Sequence, residues 1–500
     1  MERRSAWEYA TSGTYVDKGV PAPFGAAVTA LALVLCLLPF VGMIWAPTES
    51  TTENRDLAEP PRLTLDDGTF NWNILADSGA YFADHFAFRN QLVAANARLR
   101  AAVGISATDQ VVVGSDDWLY YAGTLPDYLG QTSLSDRSLH NASRNLALAQ
   151  AYIEAHGARF VLAIAPNKNT LYPQHMPAYY LRAPDEGNAA RLAPLLEAEG
   201  VSYVDLAELF QGMEGEWYLK RDTHWDNRGA LAATQAMLAS AGRAELPIGL
   251  DDGMARDDFV GDVEGMLFPS GARTEANWYF RGYNDGPGYS GSLWAYEQGS
   301  DVTDATIVTS SQAGTGRLMM FRDSFGNALV PLWAPLFERA TFSKLVPYNL
   351  AAINQFDADV VVLERAERNL AYFATTPPLM PSPAIKPSSP LARELQEGSA
   401  GATVQASQDG PYVIVEGSVG SSASEGARVY VGIDGFGGKD AVYDAFCKSL
   451  ADGDVITDDY GYQVNVVGSM EELAGATLRI YVVEDGKATC VKVVEGRDLL

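Results

Sequence analysis

The chain has 500 residues, more than one hydrophobic core usually organises, so two or more domains are expected. Apolar residues make up 47% of it, a proportion typical of a folded protein. A formal net charge of −27 gives a surface that repels nucleic acids and anionic lipid headgroups, which excludes nucleic-acid binding as a main function.

The first predicted element is a membrane helix at residues 24–46. The segment carries no charged residue, and at about 1.5 Å per helical residue it is long enough to cross about 30 Å of hydrocarbon. Basic residues precede it and acidic residues follow it, which predicts that the tail at residues 1–23 is cytoplasmic. A cleaved signal peptide is the alternative, but the apolar run exceeds the usual length of a signal core. We therefore expect an uncleaved, single-pass anchor.

A polar, proline-bearing tether follows at residues 47–69. Residues 70–103 then interleave apolar and polar side chains at helical spacing, which predicts one or two amphipathic helices. Next, the segment QVVVGSDDWLYY has the pattern of a hairpin, with two strands around a turn at residues 114–117.

From residue 143 onward, predicted helices and strands alternate. The helices are SRNLALAQAYIEAHG, RLAPLLEAEG, NRGALAATQAMLASAG and FGNALVPLWAPLFE, and the strands are ARFVLAIAP, VSYVDL, GRLMMF and DADVVVLE. This alternation predicts an α/β domain with a mainly parallel sheet at residues 70–374. Between Pro269 and Ala305 the chain is rich in Gly, Tyr, Trp and Asn without a clear period, so we expect a long surface insertion there.

The C-terminal part is predicted to be a separate β domain. Residues 375–390 are rich in proline and predict an extended linker. Residues 391–500 contain short β-type runs between Gly and Asp turns, which predicts a smaller all-β, sandwich-like domain with carbohydrate binding as its candidate role. Its cysteines, Cys447 and Cys490, are a possible disulfide in an oxidising compartment, and two unpaired thiols are the alternative.

Candidate catalytic residues appear first in KRDTHWDN, residues 220–227. In an extended segment, Asp222 and His224 would face the same side, because strand side chains alternate. A carboxylate beside an imidazole fixes the ring tautomer and stabilises the imidazolium, as a general base requires. A hydrogen-bonded surface turn is the commoner meaning of a lone D-x-H. A metal site that also uses Asp226 is discounted, because no second histidine or cysteine lies at ligand spacing nearby.

A second candidate site lies in GRLMMFRDSFGNALVPLW, where an apolar strand runs into Asp323 and Ser324. Ligands bind at the carboxyl ends of strands in open α/β sheets, and a serine at such a turn exposes its hydroxyl. Backbone N–H groups at the turn can stabilise an oxyanion. The alternative is that Ser324 or Asp323 only caps the helix predicted to follow.

Several motifs together resemble a known family. In chain order over residues 53–372 they are ENRDLAEPP, YFADHFAFRN, VVVGSDDWLYY, APNKNTLYPQHMP, DTHWDNRGA, GDVEGM, FRDSFG and DADVVVLERAERNL. The chain resembles the alginate O-acetyltransferase proteins of the AlgX/AlgJ type and the related DHHW proteins, which carry a permuted SGNH-hydrolase-like domain. The resemblance implies that fold for residues 70–374. It also implies a catalytic triad with Ser324 as nucleophile, His224 as base and Asp222 as its acid.

Two positions depart from the family's pattern. Thr223 replaces the second histidine of the D-H-H-W form and matches the acetyltransferase-like variant. Arg322 stands where the family usually has a small residue, and it either crowds the nucleophile turn or binds an anionic acceptor. Asn167 and Lys168, which match the family's NK, and Arg368 are further candidate substrate-binding residues. The alternatives are a loop turn with a solvated lysine and an ion pair of Arg368 with a neighbouring glutamate.

These features predict an extracytoplasmic serine O-acetyltransferase, held at the cell membrane by its anchor, that modifies hydroxyl groups of a cell-envelope or exopolysaccharide. No metal and no cofactor is predicted. The resemblance implies that a separate multi-pass membrane acyltransferase supplies the acetyl groups. One alternative is a carbohydrate esterase that uses the same triad with water as acceptor, and another is a catalytically inactive glycan-binding scaffold. Convergence of the three side chains to hydrogen-bond distance separates the two enzymes from the scaffold.

Overall fold

The computed structural model describes residues 22–43, 45, 57–65, 67–184, 186–269, 271–287, 291–386, 391, 401–420, 423–452 and 455–500. Most of the predicted tail and part of the predicted tether and linker therefore lie outside the described residues. The chain divides into two compact units. One comprises Met1–Val113 and Asp262–Arg273, and the other comprises Gly114–Gly261 and Thr274–Leu500.

In the residues that the structure describes, the first unit contains the strand β1 at Val111–Val113 and four helices, Ala22–Gly42, Ile74–His85, Arg89–Ala101 and Asp262–Leu267. Within the first helix, the segment Gly25–Gly42 is long and apolar enough to cross a membrane. It is not buried against the rest of the described residues. The next two helices are the amphipathic pair that the spacing of residues 70–103 predicts.

The second unit contains most of the α/β elements. Its α-helices before residue 376 are Leu125–Tyr128, Asp136–Ala155, Lys168–Leu171, Asn188–Ala198, Leu206–Gln211, Asn227–Ser240, Val330–Trp333, Ile353–Phe356 and Ala371–Thr375. Its strands in the same region are β2 Leu119–Tyr121, β3 Arg159–Ala165, β4 Tyr203–Val204, β5 Met254–Phe259, β6 Glu275–Tyr279, β7 Ala295–Gln298, β8 Thr306–Ser310, β9 Arg317–Phe321, β10 Arg339–Ser343 and β11 Val360–Ala366.

Seven of these strands form a central sheet in the order β4-β3-β11-β9-β10-β8-β7. The strands from β4 to β10 pair in parallel, whereas β8 is antiparallel to both β10 and β7. The sheet is therefore mixed, which corrects the expectation of a mainly parallel sheet. The physical reason is connection length: β7 and β8 are joined by a short turn, which permits only antiparallel pairing, whereas parallel neighbours need a long crossover.

The insertion between Pro269 and Ala305 is also more ordered than its composition predicts. It contains β6, which pairs with β5, and β7 at the edge of the central sheet. Both strands have few buried residues. Since strand prediction depends on an alternation of buried and exposed positions, short strands with little burial leave no clear period in the sequence.

The middle of the sheet is buried on both faces, which explains the continuous apolar runs of its strands. Helix Asp136–Ala155 packs Leu139, Leu146 and Ile153 into the same core as Phe160 and Leu162 of β3. Because β3, β11 and β9 are parallel neighbours, their carboxyl ends meet at one edge of the sheet. This edge places Asn167, Arg368 and Ser324 in one region, since each follows the end of one of the three strands.

The helix predicted to follow Ser324 is not continuous. The segment forms a 3₁₀ turn at Phe325–Asn327, a short helix at Val330–Trp333 and a second 3₁₀ turn at Ala334–Leu336. Pro331 and Pro335 lie at the start of the last two pieces. Because proline lacks a backbone N–H, it begins a helix readily and interrupts a longer one.

The described part of the C-terminal region is built from antiparallel strands, one short α-helix, Met470–Ala474, and a 3₁₀ helix, Gly496–Leu499. The strands are β12 Ala384–Ile385, β13 Gln405–Asp409, β14 Tyr412–Ser418, β15 Arg428–Phe436, β16 Lys439–Asp444, β17 Phe446–Asp452, β18 Val455–Val467, β19 Thr477–Glu484 and β20 Lys487–Glu495. They form a five-stranded sheet, β12-β16-β15-β19-β20, and a four-stranded sheet, β13-β14-β18-β17. Inward side chains of both sheets share one hydrophobic core, including Val415, Val464, Val431 and Ile480.

Cys447 and Cys490 are both buried and both free, so the disulfide that the sequence left open is not formed. Cys447 lies on β17 of the four-stranded sheet, and Cys490 lies on β20 at the edge of the five-stranded sheet. Burial raises the pKa of both thiols.

One helix of the α/β region carries a row of polar contacts to the C-terminal strands. The guanidinium Nη1 of Arg137 donates to the backbone oxygens of Glu425 and Ala427 at 2.8 and 2.6 Å. Two turns further along the same helix, the side-chain amide of Asn145 donates to the backbone oxygen of Cys447 at 2.7 Å. Arg137 and Asn145 are buried, so these bonds are shielded from water.

Candidate active site

The D-x-H motif lies in a tight loop rather than in an extended strand. The backbone N–H of Asp226 donates to the oxygen of Trp217 at 2.9 Å, and that of Leu219 donates to the oxygen of His224 at 3.2 Å. Residues 217–226 therefore form a hairpin, which we call the base loop. The expected alternation of strand side chains is wrong here, and a turn brings the acid and the histidine together.

Asp222 holds His224 through one carboxylate oxygen. Its Oδ1 accepts from the backbone N–H of His224 at 2.9 Å and lies 2.7 Å from the imidazole Nδ1. The Asp222 side chain is only 6% exposed, so little water competes for that oxygen. A carboxylate on Nδ1 places the ring proton there and leaves Nε2 as the basic nitrogen.

That basic nitrogen faces the serine of the second motif. His224 Nε2 lies 2.8 Å from Ser324 Oγ. The imidazole also packs edge-on against the ring of Phe325, with the ring centres 4.7 Å apart. The three side chains of the predicted triad thus converge at hydrogen-bond distances, although 100 positions of the chain separate the histidine from the serine.

Ser324 does not act as the cap of the turn that follows it. Its side chain makes no capping hydrogen bond. Asp323 instead stabilises the turn, because its Oδ1 accepts from the backbone N–H of Phe325 at 3.0 Å and its Oδ2 accepts from that of Ala366 at 2.8 Å. Ser324 is half-buried, and the His224 side chain is 20% exposed, so neither residue is sealed from solvent.

Lys168 lies beneath the base loop rather than in solvent. Its Nζ donates to the backbone oxygens of Leu219, Lys220 and Asp222 at 3.0, 3.0 and 2.6 Å. The residue is 4% exposed. A lysine whose three donors meet three carbonyl oxygens is committed to the protein itself, so these contacts favour a structural role over the expected substrate contact.

Asn167 is held by two carboxylates at the end of β3. Its backbone N–H donates to Glu367 Oε2 at 2.7 Å, and its side-chain amide donates to Asp127 Oδ2 at 3.0 Å. Burial raises the pKa of both Glu367 and Asp127. Both acids line a cavity of about 270 Å³ at the carboxyl ends of β3 and β4.

Arg322 is completely buried and does not face a ligand. Its guanidinium donates to the backbone oxygens of Val302 and Asp304 at 2.8 and 3.1 Å, and to the Asn327 side chain at 2.6 Å. Burial lowers the pKa of Arg322 to about 10. Gly326 makes room for it, because a Cβ atom there would lie 2.6 Å from the Cβ of Arg322. The contacts favour packing of the nucleophile turn over the expected binding of an acceptor.

Arg368 remains a candidate ligand contact. It is half-buried, and its guanidinium carbon lies 5.8 Å from the ring centre of Phe325 and 5.7 Å from that of Tyr121. Among the residues that the structure describes, its Nη1 has no hydrogen-bond partner. A charged donor beside the nucleophile turn is suited to hold an oxygen of a substrate.

The sequence reasoning missed two residues that shape the base loop. Glu275 Oε2 accepts from the backbone N–H of Lys220 at 2.8 Å, and its Oε1 accepts from that of Arg221 at 3.0 Å. Gly261 lies against the same loop, where a Cβ atom would be 2.2 Å from the oxygen of Arg221. Gly261 is the first residue of the GDVEGM motif, so the sequence could have indicated it. Glu275 lies in the insertion between Pro269 and Ala305, where no apolar periodicity indicates a role.

Comparison with known proteins finds a matching family model and a similar curated protein. The family described as "SGNH hydrolase-like domain, acetyltransferase AlgX" matches residues 111–259. A protein of Pseudomonas syringae pv. tomato, named "Probable alginate O-acetylase AlgJ", is 31% identical over 142 residues, which are 26% of this chain and 33% of that protein. The chain thus spans about a third of the length of this curated relative.

Two solved structures are similar over about half of the chain. Bacillus cereus PatB1 aligns with a TM-score of 0.40 and 17% identity, covering 52% of this chain and 96% of that one. The O-acetyltransferase domain of Pseudomonas putida AlgJ aligns with a TM-score of 0.35 and 20% identity, covering 52% and 92%. Residues 111–259 match the model of AlgX-type SGNH hydrolase-like acetyltransferase domains, which confirms the resemblance drawn from the sequence motifs.

Proposed function

We propose that the chain is an extracytoplasmic serine O-acetyltransferase that transfers acetyl groups to hydroxyl groups of a cell-envelope or exopolysaccharide. The observation that carries the proposal is the chain of contacts from Asp222 through His224 to Ser324, with distances of 2.7 and 2.8 Å. The similarity to the AlgX family and to a protein named as an alginate O-acetylase supports acetyl transfer as the reaction.

In the first half-reaction, Ser324 attacks the carbonyl carbon of an acetyl ester or thioester. His224 Nε2 takes the hydroxyl proton as the new C–O bond forms, and Asp222 stabilises the imidazolium. The backbone N–H of Ser324 is our candidate donor to the oxyanion of the tetrahedral intermediate. When that intermediate collapses, the leaving group takes the proton from His224, and an acetyl-serine remains.

In the second half-reaction, a sugar hydroxyl resolves the acetyl-serine. His224 removes the proton of that hydroxyl, the sugar oxygen attacks the acetyl carbon, and Ser324 leaves with the proton returned by His224. The products are the O-acetylated sugar and the free serine. Arg368, at the edge of the nucleophile turn, is our candidate for holding the donor or the acceptor.

The apolar helix Ala22–Gly42 supports a membrane location. The charges that flank it in the sequence support an N-terminus inside and a catalytic region outside the cytoplasm. The described residues contain one helix of this kind, and one span offers no path for an acyl group across the bilayer, so we propose that a multi-pass membrane acyltransferase delivers the acetyl groups.

A carbohydrate esterase is the second candidate, favoured by one observation. Ser324 is half-buried and His224 is 20% exposed, so water can reach an acetyl-serine in the structure as it stands. Transfer requires that a bound acceptor excludes this water.

The test incubates the full chain in detergent with p-nitrophenyl acetate, with and without neutral and uronic-acid oligosaccharides. Acetylated oligosaccharide and free acetate are both measured by mass spectrometry. Ser324→Ala is compared with Ser407→Ala, which changes a serine on β13, away from the central sheet. Acetylated sugar that depends on Ser324 supports the transferase, and acetate alone that depends on Ser324 supports the esterase. Equal signals from both variants would contradict both enzymes and leave the glycan-binding scaffold.

A further inference from the structure

The tip of the base loop is held from two sides by groups of opposite charge. On one side, the ammonium of Lys168 meets the backbone oxygens of Leu219, Lys220 and Asp222. On the other side, the carboxylate of Glu275 meets the backbone N–H groups of Lys220 and Arg221. Peptide groups on both sides of Lys220 are therefore fixed at their oxygens and at their nitrogens.

Neither charged group is free for another task. Lys168 is 4% exposed, and its Nζ lies 5.5 and 5.3 Å from the ring centres of Trp118 and Tyr120. A buried ammonium needs acceptors for its three donors, and three carbonyl oxygens of the loop supply them. Glu275 is half-buried, and both of its oxygens accept hydrogen bonds from loop amides.

The two groups also act on each other and on the acid of the candidate triad. Burial raises the pKa of Glu275, and the bonds from the amides of Arg221 and Lys220 and the nearby charge of Lys168 oppose that effect. The charge of Asp222 raises the pKa of Glu275 further. Lys168 therefore offsets the repulsion between two carboxylates that the loop brings close together.

We propose that Lys168 and Glu275 are paired positioning residues that fix residues 219–222 so that the Asp222 carboxylate meets His224 Nδ1. This inference rests on the proposed role of His224 as general base. The Lys168–Glu275 pair touches no reacting atom; it acts through the backbone that carries Asp222. Removal of either member releases one side of the loop, and the Asp222–His224 bond then loses its fixed geometry.

The experiment uses the full chain labelled with ¹⁵N-histidine, which contains only five histidines. The Nδ1–H signal of His224 is assigned by its loss in His224→Ala, and Asp222→Asn provides the spectrum of an unsupported imidazole. We expect Lys168→Met and Glu275→Gln each to move the signal toward that of Asp222→Asn and to speed its exchange with water. In Glu275→Gln, the NH₂ group that replaces one carboxylate oxygen would meet one of the two backbone N–H donors, which breaks one of the two contacts on that side.

Kinetics give the second readout. We expect kcat for p-nitrophenyl acetate to fall on the order of 10- to 100-fold in each variant with KM unchanged, since a misplacement of about 1 Å has effects of that size. The kcat of the double variant should be little lower than that of the less active single variant, because both changes release the same loop.

Lys448→Met is the matched control. Lys448 is a partly buried lysine on β17 whose Nζ donates to Glu416 and Gln463 at 2.6 and 3.1 Å. It should leave the His224 signal and kcat unchanged. A His224 signal that is the same in Lys168→Met, Glu275→Gln and the unaltered chain would overturn the proposal, and if Lys168→Met does not fold, Glu275→Gln decides it. Altered signals in a chain without esterase or transferase activity would refute the proposed function and leave the positioning role intact.

Discussion

The carboxyl edge of the central sheet and the outer face of helix Asp136–Ala155 are both rich in buried hydrogen bonds, but the bonds are arranged differently. At the sheet edge, they converge on a few residues and leave His224 20% exposed. Along the helix they are spread in a row, and Arg137, Asn141 and Asn145 are all at most 3% exposed. The first arrangement keeps a reactive nitrogen within reach of a substrate, whereas the second seals two layers of protein against each other. Substitutions at the edge should therefore change activity, and those along the helix should change stability.

The largest effect on activity is expected from His224→Ala. Without the imidazole, Ser324 has no base, so kcat/KM for an activated acetyl ester should fall on the order of 10⁴-fold. The melting temperature should change by only a few degrees, because the side chain is partly exposed. His156→Ala, a change of an exposed histidine that contacts Tyr152, should leave both values unchanged. A large loss of stability in His224→Ala would contradict the division between the two regions.

A somewhat smaller loss is expected from Asp222→Asn. The amide can no longer act as an anionic acceptor for the Nδ1 proton, which favours the wrong imidazole tautomer, and kcat should fall on the order of 10³-fold. Steady-state kinetics with p-nitrophenyl acetate measure it. Asp226→Asn is the control: Asp226 caps the next helix through the N–H of Gly229, so its change should affect stability more than kcat. If Asp226→Asn lowered kcat more than Asp222→Asn does, the functional carboxylate would be that of Asp226, which would contradict the account.

Arg137→Met should have its effect on stability instead. The substitution leaves the backbone oxygens of Glu425 and Ala427 without their donor and removes the guanidinium from the face of Tyr460. We expect the free energy of unfolding to fall by about 2 to 4 kcal/mol, measured in urea. The kcat of the folded variant should stay within a factor of two or so. A drop in kcat at full stability would show that the helix face contributes to the site.

Glu364→Gln tests the buried carboxyl group behind the nucleophile turn. Burial raises the pKa of Glu364 well above its usual value of 4.5. The native state therefore keeps a proton that the unfolded chain releases, so this group lowers stability as the pH rises from about 4.5 toward the native pKa. Glutamine does not titrate, so the variant should gain stability relative to the unaltered chain between about pH 5 and pH 8. The same difference between the urea midpoints of the variant and of the unaltered chain at about pH 5 and at about pH 8 would contradict this prediction.

The smallest effect concerns the two thiols. Cys447 and Cys490 are at most 1% exposed and have raised pKa values, so iodoacetamide should label neither in the native chain at neutral pH. Both should be labelled after unfolding without a reductant, as mass spectrometry of the peptides measures. Labelling that requires a reductant would show a disulfide and contradict the structure.

The residues of the site were within reach of the sequence because they occur in short motifs. The D-x-H and D-S-F segments mark Asp222, His224 and Ser324 as candidates by side-chain type, and the resemblance to the AlgX/AlgJ family implies their roles as a triad. Their local geometry was not within reach, since the base loop is a hairpin closed by backbone bonds. The interrupted helix after Ser324 could have been predicted, because Pro331 and Pro335 are visible in the sequence.

The supporting residues were beyond sequence reasoning for a different reason. Lys168 contacts carbonyl oxygens 51 to 54 residues away, and Glu275 contacts amides 54 to 55 residues away. Nothing in the neighbourhood of either residue indicates those partners, so Lys168 was expected to bind substrate. The same holds for Arg137, whose acceptors lie 288 and 290 residues away. Contacts of this kind depend on the tertiary fold and leave no local pattern.

The most direct test of the account is to find the acyl group. The full chain is mixed briefly with p-nitrophenyl acetate, quenched in acid and digested, and the peptide that contains Ser324 is examined by mass spectrometry beside Ser324→Ala and His224→Ala. We predict an acetyl group on Ser324 in the unaltered chain and no acetyl adduct at this position in either variant. Acetyl groups elsewhere only, or an equal adduct on Ser324 when His224 is absent, would contradict the serine mechanism.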